Sequence, residues 1–252
     1  RIEDPDQAAC TEEEIEYILG MVPHVFPELE VKRQDIIFQF SGVRPLPPAT
    51  GATGQISRDH SIEIVEKKSG QPWPILSLVG GKWTSYRALS EETTDEVLQR
   101  LGKRRRASTE SLPIGGGAGY PSDEEKQKAW IEDLAAQTKL SANHVRVLFT
   151  RYGTRAEEIA SYLAQGQDHP LEHHPGYSRR EIAYLVEGEM VTHLDDLILR
   201  RSLLAWLGQL TPDLLKELAE ITAQQLNWSR ERVDKEIERA REILSHDHGV
   251  TF

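Results

Sequence analysis

The sequence predicts an α+β chain, with strands and tight turns over its first hundred or so residues and an all-helical second half. Three observations predict it. From Asp35 to Val79 the apolar residues come in short runs punctuated by Gly, Pro and Thr. A glycine-rich stretch, Gly115–Gly119, then interrupts the chain. Beyond it helix-start signals recur, and no β-rich run bounded by turn residues appears before the C-terminus. The expected organisation is a first domain over 1–112, a linker over 113–120 and a helical domain over 121–252.

Thr11 with Glu14 three residues on has the spacing of a capping box and opens a short helix over Ile15, Ile18 and Leu19. Ile36–Phe38, Ile62–Val65 and Ile75–Val79 read as strands. The last is nearly all apolar, as in a buried strand, and runs through Gly80-Gly81-Lys82 into a helix with Tyr86, Leu89, Val97 and Leu101 at helical spacing. In the second half Ser122/Glu125, Thr154/Glu157 and Ser178/Glu181 have capping-box spacing, and Thr211-Pro212 pairs a good N-cap with a proline suited to the first helical position. Gly153 and Gly166 fall where helices should stop, and Arg230–Leu244 reads as a helix, giving about six in all. A helix around Asp195 through Trp206 is expected to bury Leu197, Leu199, Leu203, Leu204 and Leu207. Gly115–Gly119 has no side chains to pack and reads as a hinge.

The chain has 252 residues, 38% of them hydrophobic, enough for a sizeable core in one or two domains. A net charge of -11 argues against a nucleic-acid partner. Lys103–Arg106 follows Gly102 at a predicted helix end, where cations meet unsatisfied carbonyls, so it reads as a solvated loop. Cys10 is the single cysteine; it permits neither an internal disulfide nor a thiolate metal cluster and suits a reducing, cytoplasmic setting. The most apolar segment, Leu197–Leu210, is interrupted by Arg200 and Arg201, so no membrane-spanning helix is expected. The first residues resemble no signal peptide, and Arg1 in place of Met suggests a piece of a longer protein.

Among the glycines, Gly115–Tyr120 fails as a dinucleotide fingerprint: Tyr120 holds the third glycine position and Pro113 precedes it instead of a clean strand. Gly80-Gly81-Lys82-Trp83-Thr84 is the better candidate. Its glycines admit close backbone approach, the following helix N-terminus offers N–H donors to an anion, and Lys82 adds a full charge. Alone, such a turn is also an ordinary tight connection. Arg44, within Ser41–Leu46, and Arg58, within Ser57–His60, carry guanidinium forks suited to phosphate. Each has a plain reading too: Arg58 paired with Asp59, and Arg44 lying on the surface. His169, His173 and His174, and likewise His246 and His248, lack ligand spacing with an acidic partner, and no metal is expected.

In order, Gly-Val-Arg-Pro-Leu at 42–46, Ser-Arg-Asp-His at 57–60 and Val-Gly-Gly-Lys-Trp-Thr-Ser-Tyr-Arg at 79–87 make the chain resemble the FAD-dependent, quinone-linked glycerol-3-phosphate dehydrogenases. The likeness continues through Leu112-Pro113, Arg151–Thr154, Glu181–Val186 and Asp195–Arg201. The resemblance implies that the first domain is part of the substrate-side sheet of a flavoprotein oxidoreductase. It implies oxidation of sn-glycerol 3-phosphate to dihydroxyacetone phosphate, with hydride passing to FAD and electrons to a quinone. It places Arg44, Arg58 and Lys82 around the substrate, Arg44 at the reacting end, and Gly80, Gly81, Lys82 and Thr84 at the flavin. It leaves room for contact with the inner face of the cytoplasmic membrane and for a homodimer. Two departures would reshape the site entrance: Pro47–Gly51 stands in place of an acidic stretch, and Trp83 in place of the usual leucine. The family's G-x-G-x-x-G turn is missing, so the chain alone is expected to bind FAD poorly and to be inactive. The alternative is a non-catalytic docking or assembly module of a flavoprotein.

Overall fold

A computed structural model of the chain describes residues 4–43, 59–80, 82 and 84–252. It is α+β, and its backbone divides into two compact units: residues 1–5 with 42–113, and residues 6–41 with 114–252.

In the first unit β1 (Ser61–Val65) and β2 (Ile75–Val79) pair antiparallel, with Ser61 opposite Val79 and Val65 opposite Ile75. Two of the three predicted strands are therefore present. β2, however, is not a buried strand, since Ile75 and Leu78 are exposed. Two strands cannot cover both of their own faces. α2 (Tyr86–Arg100) follows, and its Tyr86, Val97 and Leu101 are exposed as well. None of the described residues of 42–113 is buried. Charged ties hold this unit instead: Arg100 donates to both oxygens of Glu66 (3.0 and 2.8 Å) and to Glu96 (2.6 Å), joining the end of α2 to the end of β1. Arg105, from the basic run after α2, is tied to Glu91 and to both oxygens of Asp95 (3.0 and 3.1 Å).

The second unit contains the core. α1 (Glu12–Val25) starts with the predicted capping box, the Thr11 hydroxyl accepting from the Glu14 amide and the Glu14 carboxylate from the Thr11 amide. Its main body is built from α3 (Glu124–Thr138), α4 (Ala142–Tyr152), α5 (Ala156–Ala164), α6 (Arg179–Gly188), the short α7 (Leu194–Asp196), α8 (Pro212–Leu226) and α9 (Arg230–His246). Six of these have nine residues or more among the described residues. α6 is central: Glu181 through Val186 are buried in succession, so the helix is enclosed on all sides. It packs on α5 and α8, and α9 packs on α7 and α8. Leu148, Leu163, Ile182, Leu194, Leu197, Leu214 and Leu218 are among the fully buried side chains.

Three predicted starts differ from the structure. α3 is capped by Asp123, one residue beyond Ser122, and its carboxylate accepts from the Lys126 amide (2.9 Å). Thr154 does not cap α5; its hydroxyl donates to the carbonyls of Gly116 (3.1 Å) and Ala118 (2.8 Å). Ser178 does cap α6, but Glu181 does not close the box, its carboxylate being taken by Arg151 and Tyr152. The helix expected through Trp206 ends early. α7 passes into a π-helical turn, Leu197–Arg201, and the backbone becomes extended at Ser202. Leu197 and Leu204 are buried as expected, whereas Leu203 and Leu207 are exposed.

Residues 36–38 form no strand. Gln39 pairs with His248, its amide donating to the His248 carbonyl (3.1 Å) while the His248 ring meets the Gln39 carbonyl (2.8 Å). Phe38 stacks on His248 and tilts against Trp206. These contacts give residues 6–41 to the helical unit, although the sequence reading grouped them with the strands. The glycine stretch likewise belongs to this unit from Ile114 onward.

Candidate functional site

The ladder between β1 and β2 sets the site. Continuing its register past Ser61 and Val79 brings His60 and Asp59 alongside the Gly80 turn. Gly80 has φ +75°, and a Cβ there would lie 3.0 Å from the Asp59 carbonyl oxygen; a glycine is favoured on both counts. His60, largely buried, meets Glu92 of α2 at 3.2 Å and fixes this end of β1 to the helix. Lys82 is held in a closed turn, its amide donating to the Ser85 hydroxyl (3.1 Å) and its carbonyl accepting from the Ser85 amide (3.0 Å). The Lys82 ammonium lies 3.5 Å from an Asp59 carboxylate oxygen. Thr84 is exposed in the same turn, and the first turn of α2 contains no acidic side chain.

The structure thus brings together Gly80, Lys82 and Thr84 and adds Asp59. Arg44, Arg58 and Gly81 lie outside the described residues, as do Trp83 and the Pro47–Gly51 stretch. An exposed ammonium at a strand-to-helix turn suits an anionic oxygen of a ligand. Lys82 and Thr84 offer a cation and a hydroxyl to such a ligand. A pyrophosphate cradle is a different matter: Gly116, in the only other glycine-rich stretch the sequence offered, is pressed against the end of α4, where a Cβ on it would overlap the Tyr152 carbonyl oxygen.

Two polar clusters in the helical unit escaped the sequence reading. Glu181, fully buried, accepts from Arg151 and from the Tyr152 hydroxyl, both at 2.8 Å, and the Arg151 guanidinium lies 3.5 Å over the Tyr177 ring. Burial, reinforced by the Glu181 charge, pushes the Tyr152 hydroxyl far above the usual phenol range. Spacing made Glu181 look like a cap residue, and no local signal marked its partner thirty residues back. The second cluster is His193, Asp195 and Glu236, whose potential ligand atoms converge within 4.8 Å. Arg232 pairs with Glu236 (2.6 Å), and Arg239 and Arg200 with Asp195 (3.0 and 3.1 Å). Guanidinium groups already balance these carboxylates, and a cation would have to displace them.

Comparison with known proteins gives a consistent result. Residues 107–233 match the family described as the C-terminal domain of alpha-glycerophosphate oxidase. A glycerol-3-phosphate dehydrogenase from Synechocystis sp. is 28% identical over 253 residues, which cover 96% of this chain and 43% of that protein. The mitochondrial glycerol-3-phosphate dehydrogenase of Bos taurus is 30% identical over 251 residues, 95% of this chain and 33% of that protein. The chain spans less than half the length of these relatives. Among solved structures, the glycerol-3-phosphate dehydrogenase from Bacillus halodurans complexed with FAD matches with a TM-score of 0.75 at 24% identity, over 97% of this chain and 47% of that one. At that identity the likeness speaks for the fold.

Proposed function

The chain belongs to the family of the C-terminal domain of alpha-glycerophosphate oxidase, and on that basis we propose that it serves a flavoprotein that oxidises sn-glycerol 3-phosphate to dihydroxyacetone phosphate. The carrying observation is Lys82, whose backbone is fixed at the β2–α2 turn beside Gly80 and whose exposed ammonium stands ahead of a helix start free of acidic side chains. FAD, when bound, supplies the hydride acceptor. Lys82 offers its charge to oxygens of the substrate and the flavin edge, Thr84 offers a hydroxyl, and Gly80 with Gly81 lets the backbone approach. Arg58 is assigned to the phosphate and Arg44 to the reacting end, where a cation offsets charge as the hydroxyl loses its proton.

On this reading electrons leave for a quinone, and the protein works in the cytoplasm against the inner face of the cytoplasmic membrane as a homodimer. No helix among the described residues is long and apolar enough to cross a membrane. The 252-residue chain alone would bind little FAD, because its first unit lacks a buried core among the described residues. The experiment is anaerobic flavin reduction by glycerol 3-phosphate in the chain joined to the flavin-binding portion. Rapid bleaching is expected, slowed at least 100-fold in Arg44→Ala and Lys82→Ala, on the scale of losing one preorganised charge contact. Full flavin occupancy without bleaching would remove glycerol 3-phosphate as the substrate.

A second reading, a docking or assembly role for the helical unit, draws support from the confinement of the family match largely to that unit. Binding of the separate helical unit to the rest of the flavoprotein, without effect on flavin reduction, would favour it.

A further inference from the structure

The Asp59–Lys82 pair is built unevenly. Asp59 stands two residues ahead of β1, whose start the ladder to β2 and the neighbouring His60–Glu92 contact hold in place. Lys82 projects a flexible four-carbon arm from a turn whose own backbone is closed on Ser85. Both charged groups are largely in water, with 86% of the Asp59 side chain and 51% of the Lys82 side chain exposed, and they stand 3.5 Å apart. Such a pair contributes little stability to the fold, and a compact, rotatable ammonium exchanges partners readily.

We infer that Asp59 is the resident counter-ion of Lys82, which the ammonium leaves for an anionic oxygen of the phosphorylated ligand and to which it returns on release. The inference rests on the proposed reading of Lys82 as a substrate contact. Its consequence for specificity follows from the chemistry: substrate and product carry the same phosphate, so tighter holding of that group strengthens both alike and gains nothing in the chemical step. A tethered carboxylate at high local concentration lowers the affinity for both and speeds product departure. Asp59 is thereby a residue that tunes affinity, with no contact to the reacting atoms.

The test needs neither flavin nor turnover. Inorganic phosphate is titrated into the isotope-labelled 252-residue chain while the Gly80 and Lys82 amide resonances are followed, in the parent and in Asp59→Asn, Asp59→Glu, Lys82→Gln and the double variant Asp59→Asn/Lys82→Gln. Asp59→Asn is expected to tighten phosphate about threefold, the range set by exposed ion pairs. Asp59→Glu should stay near the parent, and in the Lys82→Gln background Asp59→Asn should gain clearly less than it does with Lys82 present. An unchanged or weakened affinity in Asp59→Asn, an equal gain with Lys82 replaced, or no response of these resonances in either protein overturns the inference. In the flavin-loaded protein the same variant should lower KM about threefold at unchanged maximal bleaching rate. Failure of glycerol 3-phosphate to bleach the flavin counts against the substrate assignment alone, because the phosphate titration is independent of it.

Discussion

Glu181 shows how one side chain can serve a purpose its neighbours in sequence do not announce. With no exposure, it compensates Arg151 and accepts from Tyr152, so its removal strands a guanidinium against the Tyr177 ring. Glu181→Ala is expected to cost about 3–5 kcal/mol in denaturant unfolding, the scale of breaking a buried pair. Glu181→Gln, which can still accept from Tyr152, should cost distinctly less. Glycines give a sharper contrast. Gly20 in α1 has open space where a Cβ would go, so Gly20→Ala should stabilise by roughly 0.5–1 kcal/mol. Gly116 and Gly153 have φ of +83° and +59°, and each would drive a Cβ into the other's neighbourhood, so alanine at either should lower the melting temperature measurably. What was legible at this scale was local. Thr11, Ser178 and Thr211 cap as their spacing suggests, whereas Thr154 is drawn to Gly116 and Ala118 across more than thirty residues.

Elements followed the same division between local and distant causes. The helices of the second half announced themselves through caps and periodicity because both depend on residues within a turn or two. The Lys82 turn was legible for the same reason, but its pairing with Asp59 was not, since the two lie 23 residues apart in the chain. Residues 36–38 carry strand-like composition and yet no ladder partner among the described residues, and the Phe38 ring is used instead to cover Trp206 and His248. α7 offers a titration test. Burial raises the Asp196 carboxyl, but donation from the Thr192 and His193 amides and the charge of Arg200 outweigh it and hold the group below the usual carboxylate range. A depressed folded-state value means the stabilisation is present above the unfolded value near 4 and is lost as pH falls through the folded one. Asp196→Asn should therefore lower stability at neutral pH and flatten the acid limb of the stability profile, read from melting temperatures across that range.

At the scale of the whole chain the two units differ in what holds them. Among the described residues, all the core side chains belong to residues 6–41 and 114–252, while the described part of 42–113 is tied by arginine–carboxylate pairs and one short ladder. Native-state hydrogen exchange should accordingly find β1, β2 and α2 exchanging through small openings, and α6 and α8 only near global unfolding. Equal protection in both units would contradict this account. The mutual fit of Gly116 and Gly153 has a consequence for how the chain can be lengthened. Because backbone meets backbone there, with the Thr154 amide donating to the Gly116 carbonyl at 3.0 Å, no compensating side-chain change elsewhere can relieve an intrusion. Insertions and tags should thus be accepted in the exposed segment between Arg106 and Leu112 and rejected only a few residues later, a boundary that a scanning library of inserted peptides would trace as an abrupt edge.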